Sequence, residues 1–263
     1  MYTRYQSGYL AHWLSLEGAA DDALTQTIAG AKVDMNPHQV DAALFALASP
    51  LSNGVILADE VGLGKTIEAS LVLAQKWAER KRHLLLIVPA TLRKQWSQEL
   101  IEKFSLASKI LEARNFKEAQ TAGATNPFLV ETAFGEPAVV ICSYEFASRK
   151  QNELAAVPWD LVVFDEAHKL RNFYKGESAR IASRLDAALK GRPKLLLSAT
   201  PLQNNLQELF GLIAIIDPHF FGSLDAFKAR YCRPKLEDAE FENLRERLRT
   251  VCKRTLRRQV QEI

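Results

Sequence analysis

GVILADEVGLGKT, residues 54–66, is the stretch that decides the fold of this chain. Its first five residues form a short apolar run of the kind that becomes a buried strand. Gly62 and Gly64 follow, and Lys65 and Thr66 then open a segment whose apolar residues recur at helical spacing. A strand, a glycine-rich turn and a helix in this order predict a loop that binds phosphate groups.

Each residue type in the turn has a chemical reason to meet a phosphate. Gly62 and Gly64 permit positive φ angles, so the amides around Leu63 and the helix N-terminus can point at the oxygens of an anion. Lys65 supplies a positive charge to the outer phosphates of a nucleotide. The hydroxyl of Thr66 is a ligand for Mg²⁺.

One position departs from the strict phosphate-loop pattern. The pattern G-x-x-x-x-G-K-[ST] begins with glycine, and this chain has Asp59 there. The alternative is therefore a Gly-Lys-Thr turn that only caps a helix. We also expect Asp59 and Glu60 to pair with Lys65 when no nucleotide is bound.

Four more apolar runs alternate with helical segments along the chain. They are residues 84–88, 139–142, 161–164 and 194–198. Continuous apolar strands are buried on both faces, and strands that alternate with helices form parallel sheets. The sequence therefore predicts a three-layer α/β domain with a mostly parallel central sheet flanked by helices, and ligands at the carboxyl ends of the strands.

The remaining segments are expected to surround this domain. Residues 1–35 predict an N-terminal helical extension, 36–218 the nucleotide-binding lobe, and 219–263 a C-terminal helical segment. Glycine and proline punctuate residues 105–137, which predicts an irregular peripheral insertion.

Size and composition limit the class of protein. The chain has 263 residues, 48% of them apolar and 25% charged, as in ordinary globular proteins of one large or two small domains. A net charge of +3 is too small to argue for nucleic acid by itself. Three scattered cysteines, with no signal-peptide pattern and no apolar run of membrane-spanning length, predict a soluble cytoplasmic protein with reduced thiols.

Polar residues lie at the carboxyl ends of the last two apolar runs, 161–164 and 194–198. Asp165 is suited to hold Mg²⁺, usually through water, and Glu166 to act on the attacking water. The alternative is a pair of solvated acids that start a helix. Ser198 and Thr200 can relay a change at the nucleotide to a neighbouring surface, or they form an ordinary serine-threonine turn before Pro201.

These three motifs together resemble those of the superfamily-two helicase-like ATPases. The spellings DEVGLGKT, KLRN at 169–172 and PLQNNLQEL at 201–209 narrow the resemblance to the Swi/Snf family of double-stranded-DNA translocases. The variant is similar to the bacterial members, including the type that recycles RNA polymerase. The resemblance covers about residues 36–260 and implies a RecA-like P-loop NTPase lobe that uses ATP and Mg²⁺.

The resemblance also implies roles for particular residues. Gln39 matches the glutamine that reads adenine, and His168, Ser198 and Thr200 match residues that couple the nucleotide site to nucleic acid. The positions that match segments facing the nucleic-acid backbone are Pro89, Thr91, Arg93, Gln95, Trp96, Ser143 and Arg171. Backbone contacts of that kind position a protein without reading sequence.

Basic residues remain ambiguous without the resemblance. Arg93, Lys94 and Arg171 are then more often solvated charges at helix starts. Near the C-terminus, a basic cluster is equally a solvated face or a patch on the DNA side. Its members are Lys253, Arg254, Arg257 and Arg258.

The expected function is that of a monomeric ATPase lobe from a translocase that tracks along duplex DNA, with a protein partner on that DNA. The resemblance implies a second lobe that supplies an arginine finger, worth about 10³–10⁵ in turnover. We therefore expect these residues alone to bind ATP weakly and to hydrolyse little of it.

Two other functions compete with this one. A non-catalytic nucleotide-sensing scaffold is disfavoured because the catalytic set Lys65, Asp165 and Glu166 is intact. An unrelated phosphate-loop enzyme, such as a small-molecule kinase, has no role for Gln39 or for residues 198–201.

Overall fold

A seven-stranded parallel sheet forms the centre of the structure. The structure is a computed structural model, and it describes residues 27, 30–33, 35–48, 53–60, 62–129, 137–172, 179–200, 205–233 and 238–260. In chain order the strands are β1 Gly54–Leu57, β2 Leu84–Val88, β3 Ser108–Ile110, β4 Val139–Ser143, β5 Leu161–Phe164, β6 Lys194–Leu197 and β7 Cys252–Lys253. Across the sheet they run in the order β3-β4-β2-β5-β6-β1-β7.

Helices connect and cover these strands. They are α1 Pro37–Ala48, α2 Lys65–Ala78, α3 Arg93–Phe104, α4 Ala113–Thr121, α5 Tyr144–Arg149, α6 Gln151–Ala155, α7 Arg180–Ala188, α8 Leu206–Ile216, α9 Leu224–Tyr231, α10 Asp238–Arg249 and α11 Arg257–Val260. Short 3₁₀ turns, Ala90–Leu92 and Ala167–Leu170, precede α3 and follow β5. Within the described part of the chain, no helix has the length and apolar character that crossing a membrane requires.

The central strands bury side chains on both faces of the sheet. In β2, Leu84, Leu86 and Val88 pack with buried residues of α1, α2 and α3, whereas Leu85 and Ile87 pack with those of α5, α7 and α8. A strand that is covered on both sides has no polar face, which explains its uninterrupted apolar sequence. The predicted three-layer α/β architecture with a parallel sheet is confirmed.

The five predicted strands are present, and two further strands lie where none was expected. Residues 105–137 were predicted to be irregular, and this is wrong for their described part: β3 pairs with β4, and α4 follows it. The C-terminal segment 219–263 was predicted to be helical throughout, yet β7 joins the sheet beside β1. Strands of two or three residues at a sheet edge are too short to show a periodic signal.

Most of the predicted N-terminal extension, residues 1–35, lies outside the described residues.

The parallel pairing has one consequence for function. Because every strand points the same way, the carboxyl ends of β1, β2, β4, β5 and β6 meet at one edge of the sheet.

Gly54→Ala tests the close approach of β1 to β6. Gly54 has a φ of +151°, and a Cβ there would lie 1.9 Å from the main-chain oxygen of Lys194. We expect the substitution to lower the free energy of unfolding by about 3 kcal/mol, from overlap and backbone strain together.

The matched control is Gly191→Ala. Gly191 also has a positive φ, +72°, but a Cβ there would meet no atom within 4 Å, so we expect a loss of only about 1 kcal/mol. Urea denaturation measures both variants, and equal losses would contradict the close β1–β6 contact.

Candidate nucleotide site

The loop between β1 and α2 has the backbone that anion binding needs. Gly62 and Gly64 have φ angles of +86° and +93°, in the left-handed region where a side chain is strained. Gly64 is the N-cap of α2, and its carbonyl accepts hydrogen bonds from the amides of Ile67 and Glu68. The amides of Lys65 and Thr66, at the start of this helix, are left for another acceptor.

The side chain of Lys65 folds back onto the main chain at the start of the loop. Its Nζ donates to the main-chain oxygen of Asp59 at 2.8 Å and to that of Glu60 at 3.2 Å. The predicted pairing of Asp59 and Glu60 with Lys65 is present, and their carbonyl oxygens hold the ammonium group. These neutral partners can be exchanged for phosphate oxygens without breaking an ion pair.

Asp59, the departure from the loop pattern, has a structural role. Its side chain is fully buried, and Oδ1 accepts a hydrogen bond from the amide of Thr255 at 2.6 Å. Glu68 is buried nearby, and burial together with the charge of Asp59 raises its pKa to about 9. A pKa of about 9 leaves Glu68 protonated at neutral pH.

Asp165, at the carboxyl end of β5, is held by three neighbours. Its Oδ2 accepts a hydrogen bond from Trp96 Nε1 at 2.8 Å, Oδ1 accepts one from the Glu166 amide at 2.9 Å, and its main-chain oxygen accepts one from the Tyr144 hydroxyl at 2.7 Å. Burial raises the pKa of Asp165, and the Trp96 hydrogen bond opposes this shift. The charge of Lys65 also lowers this pKa, as the smallest of the effects on it.

Glu166 has an unusual backbone. Its φ of +53° is in the left-handed region, which costs a non-glycine residue about 1–2 kcal/mol. Strain of this kind persists where the surrounding fold imposes it, often at functional sites. The carboxylate is partly exposed, and its Oε2 lies 3.1 Å from Nδ1 of His168.

Gln39 and His38 contact the loop from α1. Gln39 Nε2 donates to the main-chain oxygen of Leu63 at 3.0 Å, and His38 Nε2 lies 2.9 Å from the same oxygen. A Cβ on Gly64 would stand 2.1 Å from Gln39 Nε2, so a side chain there would displace the Gln39 amide from the loop. The residue predicted to read adenine thus holds the phosphate loop in this structure.

Ser198 lies between the loop and the carboxylates, because β6 pairs with β1 on one side and with β5 on the other. It is fully buried, and its Oγ accepts a hydrogen bond from the amide of Thr200 at 3.3 Å. The serine-threonine turn that was the alternative at this position is therefore present. Thr200 itself is exposed.

Three residues predicted to face nucleic acid point into the fold. Trp96 is 2% exposed and belongs to the Asp165 site. Ser143 is 6% exposed and caps α5, where its Oγ accepts from the Phe146 amide at 3.2 Å. Arg171 Nη1 lies 3.6 Å from Oε2 of the buried Glu208. Their matches to the family segments gave chain position but not side-chain direction, and a contact of these three residues with nucleic acid stays a prediction.

The other nucleic-acid positions stay near the surface at the carboxyl end of β2. Thr91 and Gln95 are exposed, and Pro89 is partly exposed. Arg93 is half-buried, with Nη1 3.2 Å from Oε2 of Glu112. These positions remain compatible with a backbone contact.

The residues present fit a magnesium-bound nucleotide. Among the residues that the structure describes, no cluster of three or more His, Cys, Asp or Glu side chains could hold a metal. Mg²⁺ does not need one, since it is usually held by one or two protein ligands together with phosphate oxygens and water. Thr66 and Asp165 are ligands of that kind, and the glycine loop with Lys65 suits the phosphates.

Several residues of the site gave no motif in the sequence. They are His38, Glu68 and Thr255, and each is recognised only by its contacts. One signal did exist: an aspartate where the loop pattern has glycine indicates that a side chain is needed at that point.

Glu68→Gln tests the buried carboxyl pair. The folded protein keeps a proton that the unfolded chain releases above its ordinary pKa of 4.5, so the stability from this proton is complete below that pH and is lost as pH rises toward 9. We expect the free energy of unfolding of the wild type, relative to Glu68→Gln, to fall by up to about 1.4 kcal/mol per pH unit between about pH 6 and 8.

Urea denaturation at the two pH values measures this difference. Glu79→Gln, just beyond the end of the same helix, is the exposed control and should show no such trend. A difference between wild type and Glu68→Gln that stays constant with pH would contradict a protonated Glu68.

Comparison with known proteins identifies the family. Residues 1–263 match the SNF2-related domain. The RNA polymerase-associated protein RapA of Serratia proteamaculans (strain 568) is 35% identical over 206 residues, which cover 76% of this chain and 20% of RapA. The chain thus spans about a fifth of the length of this curated relative.

Two solved structures share the fold. The Sulfolobus solfataricus SWI2/SNF2 ATPase core in complex with dsDNA has a TM-score of 0.68 and 22% identity, over 86% of this chain and 45% of that one. The same organism's SWI2/SNF2 ATPase core domain has a TM-score of 0.65 and 20% identity, over 86% and 44%. The RecA-like fold that the resemblance implied is confirmed. The chain belongs to the SNF2-related domain family and is a Swi/Snf-type lobe of the superfamily-two helicase-like ATPases.

Proposed function

We propose that this lobe binds ATP with Mg²⁺ and hydrolyses it to drive movement along double-stranded DNA. The observation that carries the proposal is the common position of two groups at one edge of the sheet. The glycine loop with Lys65 follows β1, and the Asp165–Glu166 turn follows β5, with the Lys65 charge acting on Asp165.

The loop binds the phosphates. Phosphate oxygens replace the carbonyls that hold Lys65 Nζ, and the free amides at the start of α2 donate to the same oxygens. Gln39 and His38 fix the Leu63 carbonyl outward, which keeps the loop open for the anion. When nucleotide binds, Gln39 is also the side chain placed to turn from Leu63 to the adenine.

The carboxylates orient the reacting groups. Asp165 is held in one orientation by Trp96 and by the Glu166 amide, and together with Thr66 it would hold Mg²⁺. The metal ion, when bound, neutralises charge that develops on the outer phosphates. Glu166 orients the attacking water and accepts its proton, and Nδ1 of His168 lies 3.1 Å from Oε2 of Glu166.

Two contacts connect this turn to the rest of the lobe. The Arg171–Glu208 pair joins the segment after Glu166 to α8, and the Ser198–Thr200 turn lies between the loop and the carboxylates. We assign the coupling of nucleotide to DNA to these two contacts.

The relatives suggest the partners. The similar Sulfolobus structure is of a complex with dsDNA, and RapA is named for its association with RNA polymerase. We propose that duplex DNA contacts the edge that carries Thr91 and Gln95, and that a protein bound to this DNA is remodelled. A monomer in the bacterial cytoplasm fits this role.

We expect slow turnover by these 263 residues alone. The chain covers less than half of the similar ATPase cores. In related phosphoryl-transfer enzymes an arginine from outside the phosphate loop adds about 10³–10⁵ to turnover.

Lys65→Ala tests nucleotide binding. Removing the ammonium group should weaken the binding of Mg·ATP by at least about tenfold, because a charge-assisted contact to phosphate is lost. Isothermal titration measures the affinity. Lys76→Ala, further along the same helix, is the matched control and should bind as the wild type does. Equal affinities for all three proteins would contradict the assignment of the nucleotide site to this loop.

Glu166→Gln tests the assignment of the catalytic carboxylate. The variant should bind Mg·ATP with unchanged affinity and lose about 10²–10⁴ in single-turnover hydrolysis, because the water loses its base. Glu145→Gln, an exposed acid on α5, is the control. A scaffold that does not hydrolyse ATP would show the same rate for all three proteins.

A further inference from the structure

The chain after α10 returns to the phosphate loop. Residues 252–257, here called the tail segment, begin as β7, which pairs in parallel with β1. The amides of Ile56 and Ala58 donate to the oxygens of Val251 and Lys253 at 2.8 and 2.7 Å. The tail segment is therefore a continuation of the sheet and leads along β1 toward its carboxyl end.

Beyond β7 the tail segment is fastened to the first two residues of the loop motif. The Thr255 amide donates to the buried Asp59 Oδ1 at 2.6 Å, and the Glu60 amide donates to the Thr255 oxygen at 3.3 Å. The Arg257 amide donates to Glu60 Oε2 at 3.2 Å. Three hydrogen bonds thus fix the backbone of the tail segment relative to the loop.

This attachment brings the guanidinium group of Arg257 close to Gly62, the first glycine of the loop. A Cβ on Gly62 would lie 3.0 Å from Arg257 Nη2. The φ of +86° favours glycine at position 62, and the Arg257 guanidinium packs against this residue. The sequence alone left Arg257 in an undecided basic cluster.

The charges around Gly62 call for an anion. The ammonium group of Lys65, the amides at the N-terminus of α2 and the Arg257 guanidinium are all positive and lie around one short loop. Like charges around one loop repel each other. A bound phosphate would stabilise the arrangement, since guanidinium groups pair with phosphate through two parallel hydrogen bonds.

We propose that Arg257 is a second cation of the nucleotide site and contacts the phosphates of bound ATP from the side of the tail segment. The inference rests on the proposed function, because it requires ATP in the loop. It makes residues far apart in sequence, Lys65 and Arg257, act on one ligand. Asp59 then serves the nucleotide indirectly, as the residue that anchors the tail segment.

Titrations with a nucleotide series test the proposal. Arg257→Gln should weaken the binding of Mg·ATP roughly tenfold, and Arg257→Lys by less, because the charge remains while the paired hydrogen bonds are lost. The binding of adenosine should not change, since it has no phosphate. Arg258→Gln, the next residue of the same helix and also exposed, is the matched control and should bind as the wild type does.

The outcomes separate this proposal from the proposed function. If Lys65→Ala weakens ATP binding while Arg257→Gln matches Arg258→Gln, the nucleotide site stands and the role of Arg257 is overturned. If Lys65→Ala has no effect, the nucleotide site itself fails. If Arg257→Gln lowers the affinities for ATP and adenosine equally, the phosphate contact is overturned. A thermal unfolding temperature equal to that of the wild type shows that the variant is folded.

Discussion

The parallel pairing of β6 with both β1 and β5 is the constraint on which the site depends. It places the loop after β1 and the acids after β5 two strands apart at the same edge. If either β1 or β5 ran in the opposite direction, its carboxyl end would lie at the opposite edge. The close approach at Gly54 and the buried strands hold this register, so packing far from the proposed nucleotide site decides its geometry.

Around this frame the site is built from contacts that restrict movable side chains. Trp96 and the Glu166 amide orient Asp165, Gln39 and His38 hold the loop carbonyl, and the protonated Glu68 lies beside Asp59. Preorganised charge of this kind is what phosphoryl transfer needs, because the protein does little covalent chemistry. The departure from the strict loop pattern belongs to the same set of contacts, since the Asp59 carboxylate accepts a hydrogen bond from the Thr255 amide.

The sequence was informative where a local rule applies. Long apolar strands, the glycine turn and the acids at a strand end follow from residue type and spacing over a few positions, and they led to the fold and to the nucleotide site. Side-chain direction did not follow: Trp96 and Asp165 are 69 positions apart, and Asp59 and Thr255 are 196 apart. The short strands β3 and β7 depend on their sheet neighbours in the same way, so no local pattern could reveal them.

The most direct test of the central claim is a crystal structure of this chain with Mg²⁺ and a non-hydrolysable ATP analogue. The account predicts the triphosphate in the loop at 62–66, Mg²⁺ about 2.0–2.1 Å from Thr66 Oγ1, and Asp165 bonded to the metal or to its water. Lys65 Nζ should have left the carbonyls of Asp59 and Glu60. A nucleotide bound elsewhere, or carboxylates of Asp165 and Glu166 that point away from the metal, would contradict the account.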